Sequence, residues 1–358
     1  MRKSIALFLS MLLLITVFCV GCNKQSEKTE PDIAMNKVTD ESFKRTITDA
    51  NDQVVEIPQN VRKIAITCHG GATHELVVLG AEDMIVAQPT MERFPLLMKI
   101  KPQFNGVVDA GSFDNVNVEE LLKLEPDVVF AFCGSEKGNT KIKEVGIPVV
   151  TMLCGKANIQ ALKNEFLTTG IILDKNDEAK KLVAYWDEKL GLINNRLSRI
   201  SEEQRKKVYY AGGQLLKTEG GQWWINELVT NVGGVLVSKD MVSNGVSMEC
   251  SIEQLIGWDP DVIVCSRETG KSGLAEEIKK DPRLKDLTAI KNNAVYDYPL
   301  GSFWWNRPSP EAPLGFIWLA KTLYPEETRD IDLKAETKKF YKEFYKYELS
   351  DKEYESFF

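Results

Sequence analysis

Histidine is scarce in this chain: of 358 residues only two are His, at positions 69 and 74. Imidazole is the side chain that titrates near neutral pH and the commonest general base, so few catalytic arrangements remain open. No G-x-S-x-G, H-E-x-x-H or phosphate-loop signature occurs either, which removes the nucleophile-elbow, zinc-protease and nucleotide-cradle readings. A basic excess is also missing. Lys and Arg number 45 against 52 Asp and Glu, for a formal charge of −7, which argues against a nucleic-acid partner. Beyond residue 22 the cysteines are Cys68, Cys133, Cys154, Cys250 and Cys265, with no C-x-x-C among them. That spacing fits no zinc ribbon, and an odd number cannot all pair internally. No apolar run of membrane-spanning length follows Val20.

The run before it is informative. Arg2 and Lys3 precede an apolar stretch, Ser4 to Val20, closed by Gly21 and Cys22. A basic start, an apolar middle and a small residue at the close make a secretion signal. The stretch is short for a span of about 20 residues, and a cysteine after a small residue resembles a bacterial lipobox, here with Cys19 where leucine is commonest. Residues 1–21 therefore read as a lipoprotein signal peptide, Cys22 as the lipid anchor, and residues 22–45, polar and charged, as a flexible tether. The remainder is expected to be extracytoplasmic and attached to the cell membrane.

A twelve-residue pattern occurs twice: VEELLKLEPDVV at Val118 to Val129 and IEQLIGWDPDVI at Ile252 to Ile263. Each copy encodes a short helix, a Pro-Asp turn and a buried strand. Ser251 with Gln254 forms a capping box, and Asn117 with Glu120 a close analogue. Val118, Leu121 and Leu122, matched by Ile252, Leu255 and Ile256, follow i, i+3, i+4 spacing and are expected to face the core. Glu119 and Glu253 lie off that face, in the first turn, where the helix dipole favours a solvated carboxylate. Acids are common in first turns; their recurrence in both copies is what singles these two out.

The order of elements predicts two similar halves. A hairpin at Thr46 to Pro58 is followed by alternating strands and helices: KIAIT, GATHELVVLGA, MIVA, the first repeat and IPVVTML, which point to a mostly parallel sheet covered by helices. From Asp177 to Ile200 an uninterrupted apolar stripe predicts one helix of roughly 24 residues, about 36 Å long. The rhythm then restarts at KKVYYA. The fold class is α/β, with two Rossmann-like lobes of mostly parallel strands joined by one long interlobe α-helix: residues 46–172, 173–204 and 205–358.

Taken together, TITDANDQVVEIPQNVRKIAI, GATHELVVLGAEDMIVA, EPDVV, DPDVI and WWNRPSPEAPLGFIWLAKTLYPE resemble, in order and spacing, the helical-backbone (class III) substrate-binding proteins of ABC importers, the iron-siderophore, haem and cobalamin family, in its lipoprotein form. The resemblance covers Thr46 to about Pro325. It implies a two-lobed monomer with limited hinge motion and a metal-chelate ligand held in the interlobe cleft. It also implies docking of Glu119 and Glu253 with an ABC permease homodimer and its ATPase subunits. No enzymatic activity and no resident cofactor are implied. His74 stands where the family often has glutamate.

Loops after parallel strands face the ligand, and this selects the cleft candidates. CHGGATH follows the first strand, so Cys68, His69 and His74 are candidate metal ligands; a cap or core histidine is the plainer alternative for both imidazoles. Arg307, in FWWNRPSPE, suits a carboxylate or oxyanion. Trp305 and Trp224, each in a tryptophan pair, suit stacking on a flat ligand unless they are core. Arg93 and Tyr210 complete the set. The cysteines at strand ends are either ligands or small buried hydrophobes. The alternatives to an importer component are a surface metal-, oxyanion- or thiol-binding protein, or an exported hydrolase.

If Cys22 carries the lipid, Cys22→Ser should move the full-length protein from the detergent phase to the aqueous phase of a Triton X-114 partition. Retention in the detergent phase would identify the apolar stretch itself as the anchor.

Overall fold

The computed structural model describes residues 44–69, 71–242, 247–267 and 273–358. The signal peptide, Cys22 and nearly all of the expected tether lie outside them. The tether's last two residues already belong to structure: Lys44–Thr48 pairs antiparallel with Val54–Pro58. Asp49 closes the turn, its Oδ1 accepting from the backbone N–H of Asn51 at 2.9 Å and of Gln53 at 3.0 Å.

Two four-stranded parallel sheets follow. In the first, Ile85–Ala87, Ile64–Ile66, Val128–Phe132 and Val149–Met152 lie side by side in that order. In the second the order is Val235–Leu236, Lys207–Ala211, Val262–Cys265 and Val295–Asp297. Numbered along the chain within each half, both sheets run 2-1-3-4. The strands are almost entirely buried and read as continuous apolar runs, as two-sided parallel sheets require. The fold is therefore duplicated, and the sequence repeat marks the approach to the third strand of each sheet.

Most of the repeat is explained inside the molecule. Asn117 accepts from the N–H of Glu120 and Ser251 from that of Gln254, at 3.1 Å each, with a full capping box at Ser251. Leu121 and Leu255 are fully buried. Asp127 Oδ2 accepts from the backbone N–H of Arg62 (2.6 Å) and Lys63 (2.8 Å), and Asp261 Oδ2 from that of Lys207 (2.8 Å). Each Pro-Asp turn thus holds the start of the first strand of its own sheet. One expectation is corrected: Leu122 and Ile256 do not face the core but are 48% and 46% exposed. Each helix has only seven residues, and two turns bring a single full apolar position against the sheet.

The long helix is Asn176–Leu197, 22 residues, and it belongs to both halves. Its buried face includes Ala179, Leu182, Trp186, Ile193 and Leu197. Trp186, fully buried, has its ring 5.8 Å from Phe166 of the first half, 6.2 Å from Trp224 and 6.1 Å from Phe316 of the second. Lys189 is also buried on this helix, its charge answered by Glu188 and Glu336, both at 2.7 Å.

The end of the chain crosses back. The helix Leu333–Phe340 runs into a wider turn, Tyr341–Tyr345, and the rings of Phe340 and Phe344 each lie 5.3 Å from Tyr185 of the long helix. Lys99 of the first half bonds Glu353 at 2.5 Å. The terminal helices, expected with the second lobe, therefore cover the junction as well. Beneath them Glu311 is fully buried and accepts from Trp305 Nε1 (2.9 Å), Tyr341 OH (3.0 Å) and Tyr345 OH (2.7 Å), while burial pushes its pKa up to about 7.

Trp186→Ala should lower unfolding stability by about 3–5 kcal/mol, the usual cost of truncating a buried tryptophan, read as a lower urea midpoint. Trp186→Phe should lose less. A loss below about 1 kcal/mol for the alanine variant would mean the junction is held elsewhere.

Candidate functional site

A cavity of about 430 Å³ is lined by Arg93, Gly212, Gly213, Ser266, Arg267, Trp304 and Arg307. Every one of these lies in a loop after the carboxyl end of a strand: Arg93 after Ile85–Ala87, the glycines after Lys207–Ala211, Ser266 and Arg267 after Val262–Cys265, and Trp304 and Arg307 after Val295–Asp297. Strand ends of both halves thus meet at one place, where parallel α/β sheets bind ligands. Gly213, at φ 83, makes the tight turn that leaves this floor free of side chains. Among the described residues no carboxylate lines the cavity.

The three guanidinium groups are held differently. Arg307 Nη1 donates to Glu219 Oε1 at 2.7 Å and Nη2 to Tyr210 OH at 3.4 Å. Burial opposes its charge, but Tyr210 and Glu219 outweigh that and hold its pKa above the ordinary value. Asn306 Nδ2 donates to Tyr210 OH (3.0 Å) and to Ser266 Oγ (3.5 Å), which ties the two strand-end loops together. Arg267 Nη1 donates to the Phe357 carbonyl at 2.6 Å, and its own carbonyl accepts from Trp304 Nε1 at 2.8 Å. Arg93 is exposed. Among the described residues only Arg307 of the three has a carboxylate partner, so the described walls present positive charge and donor groups in excess of acceptors.

A larger, more open cavity of about 830 Å³ adjoins it, sharing Arg93 and Arg267 and adding Lys99, Glu92 and Glu353. A third, of about 300 Å³, lies against the amino-terminal hairpin and is lined by Asp49, Thr151 and Glu165 among others.

Of the residues expected from sequence, Arg93 and Arg307 line the arginine cavity, and Tyr210 stands behind Arg307. His69 is half-buried near the rim, its ring 5.7 Å from Phe113. Burial and the charge of Arg93 lower its pKa, and Asp109 opposes them. Three others are corrected. His74 is in the core, with Nε2 2.8 Å from the Ser302 carbonyl and its ring packed on Phe303 and Phe94. Trp224 is fully buried against Trp186 and Phe316, and Trp305 is fully buried on Glu311. The expected metal set Cys68, His69 and His74 does not converge. Among the described residues no three His, Cys, Asp or Glu side chains come together to hold a metal ion. The reason is local: the left-handed turn at Gly71 (φ 91) starts a helix whose first residues point inward, while Cys68 is buried with its thiol 3.9 Å from the Phe130 carbonyl. Glu119 and Glu253 are both exposed.

Sequence reasoning missed Arg267, Ser266 and Glu219. The first two follow DVIVC directly, the same strand-end signal that pointed to CHGGATH. Glu219 follows no such rule, because its role comes from Arg307 reaching it across the fold.

A family model for periplasmic binding proteins matches residues 66–300. The molybdate-binding protein MolA of Haemophilus influenzae is 28% identical, over 84% of this chain and 91% of its own. The structure of MolA bound to molybdate has a TM-score of 0.76 at 26% identity, covering 86% and 99% of the two chains. The Fe(3+)-citrate-binding protein YfmC of Bacillus subtilis is 24% identical, over 83% and 89%. A periplasmic solute binding protein from Veillonella parvula has a TM-score of 0.75 at 27% identity, over 88% and 97%.

His74 has a measurable signature. Burial lowers its pKa to about 4, so between about 6.5 and 4 the unfolded chain binds a proton that the folded chain does not. The stability this histidine contributes is present above pH 6.5 and lost as pH falls toward 4, by about 3 kcal/mol at most. Glu165 and Glu311, both raised to about 7 by burial, act in the opposite sense over the same range. The difference between wild type and His74→Leu isolates the histidine: the stability of wild type relative to the variant, read from urea midpoints, should be lower at pH 4.5 than at pH 7. An unchanged acid slope would place the titration elsewhere.

Proposed function

The chain belongs to the periplasmic binding protein family, and from that premise we propose that it is the extracytoplasmic substrate-binding lipoprotein of an ABC importer. Cys22 anchors it to the membrane, the cavity between the two sheets captures the cargo, and Glu119 and Glu253 dock the two halves on a permease homodimer with its ATPase subunits. It works by binding and release, without catalysis.

The cargo is an anionic metal complex. The observation that carries this is the convergence of Arg93, Arg267 and Arg307 on one cavity, with no carboxylate among its described walls. Guanidinium groups pair with carboxylates and oxyanions through two parallel N–H donors. An anion leaving water for this site exchanges its hydration for several fixed donors. Glu219 and the Phe357 carbonyl hold two of the arginines in place beforehand, which reduces the ordering cost of binding. A volume of about 430 Å³ lies in the range of small-molecule pockets and admits a chelate such as an iron–carboxylate complex. A bare metal oxyanion is the second reading, favoured by the similarity to MolA. A neutral corrin would bring no counter-charge to Arg93 and Arg267.

Calorimetric titration of the mature protein with ferric citrate, molybdate and cyanocobalamin tests this. At least one of the two anions should bind, cyanocobalamin should not, and Arg93→Met, Arg267→Met or Arg307→Met should each weaken the anion about 10- to 100-fold, the loss of one or two charge-assisted hydrogen bonds. Cyanocobalamin binding that all three variants leave intact would sink the anionic cargo.

A further inference from the structure

The two copies of the repeat separate residues with internal tasks from residues without them. The caps, the buried leucines and the strand-holding aspartates are all used inside the molecule in both copies. Two matched positions are not. Glu119 and Glu253 are exposed, and among the described residues neither makes an ion pair or side-chain hydrogen bond. Three residues on, Leu122 and Ile256 are 48% and 46% exposed. Residues i and i+3 of a helix lie side by side, so each half presents a carboxylate next to a branched aliphatic side chain. The other outward positions differ between copies: Glu120 and Lys123 form an ion pair at 3.1 Å in the first, whereas Gln254 and Gly257 stand in the second. Scattered exposed aliphatics are ordinary on any surface. A pair repeated at equivalent positions of a duplicated fold, beside the one repeated charge that has no partner, is not scattered.

We propose that the docking surface has two components on each half and is matched by a two-fold partner: each permease subunit offers a cationic side chain for Glu119 or Glu253 and, one helical turn away, an apolar socket for Leu122 or Ile256. This rests on the docking reading above and extends it. Two like patches on one chain fit a homodimer, because each subunit then meets the same chemistry. The components divide the kinetics: the carboxylates steer encounter and carry the salt dependence, while the aliphatic side chains, dry once seated, slow dissociation.

The test measures association and dissociation of the mature protein on right-side-out membrane vesicles from the cell that makes it, with vesicles lacking the permease as blank. Leu122→Ser with Ile256→Ser should speed dissociation at least tenfold and leave the association rate and its salt dependence as in wild type, and each single change should give a similar part of the effect. Glu119→Gln with Glu253→Gln should slow association and flatten its salt dependence. Unchanged thermal midpoints show that the folds are intact. If the glutamate pair fails to bind while the serine pair dissociates within twofold of wild type, the apolar socket is wrong and the docking reading stands. If one single serine change carries the whole effect, the two-fold match is wrong. If neither pair alters binding, the docking reading itself falls.

Discussion

The packing of Trp186 is the contact on which the rest of the molecule depends. This ring, buried on the helix Asn176–Leu197, touches Phe166 from one half and Trp224 and Phe316 from the other. Large aromatic faces in a close-packed interior do not deform continuously; they shift only by breaking contact. The halves are therefore set relative to one another by a dense aromatic junction and not by a loop. A second junction lies at Ser302 to Trp304, where Phe303 and Trp304 pack 5.1 and 4.8 Å from Phe94.

The site inherits its geometry from these junctions. Arg93 comes from the first half, Arg267 and Arg307 from the second, and their convergence exists only while the halves keep their places. Converging three like charges is unfavourable in the free protein. The structure moderates it with Glu219 behind Arg307 and the Phe357 carbonyl on Arg267, leaving Arg93 in water. The remaining positive potential is what an anion would relieve. Glu219, placed behind the wall, moderates the charge of Arg307 without blocking the cavity.

The first sheet also gathers a set of groups with no such outlet. Glu75, Cys68 and Cys154 lie buried at its carboxyl edge with Glu165 half-buried beside them, and desolvation raises both carboxyls above their ordinary range. Among the described residues no disulfide joins the cysteines. Burial raises the Glu75 carboxyl well above its ordinary range, and the neighbouring Cys68 and desolvation raise the Cys154 thiol, which favours the neutral forms that pack beneath strand ends. This accounts for cysteine at these positions as a small hydrophobe and leaves the metal reading of Cys68 without a partner.

What the residues alone determined were the local and periodic features: the capping of the repeat helices, the buried strands after each Pro-Asp turn, the strand and helix rhythm that restarts in the second half and the uninterrupted apolar stripe of the long helix. Each depends on neighbours a few positions away, so spacing suffices to read it. Strand-end position likewise marked Arg93 and Arg307. Direction of burial was decided elsewhere. His74 turns inward because Gly71 starts its helix at a left-handed turn and Ser302, far along the chain, supplies the carbonyl. Trp224 and Trp305 are core because Trp186 and Glu311 arrive to cover them. Leu122 and Ile256 remain outside because two short turns offer the sheet one apolar side. In each case the deciding atoms come from distant segments, and only the tertiary structure brings them within reach.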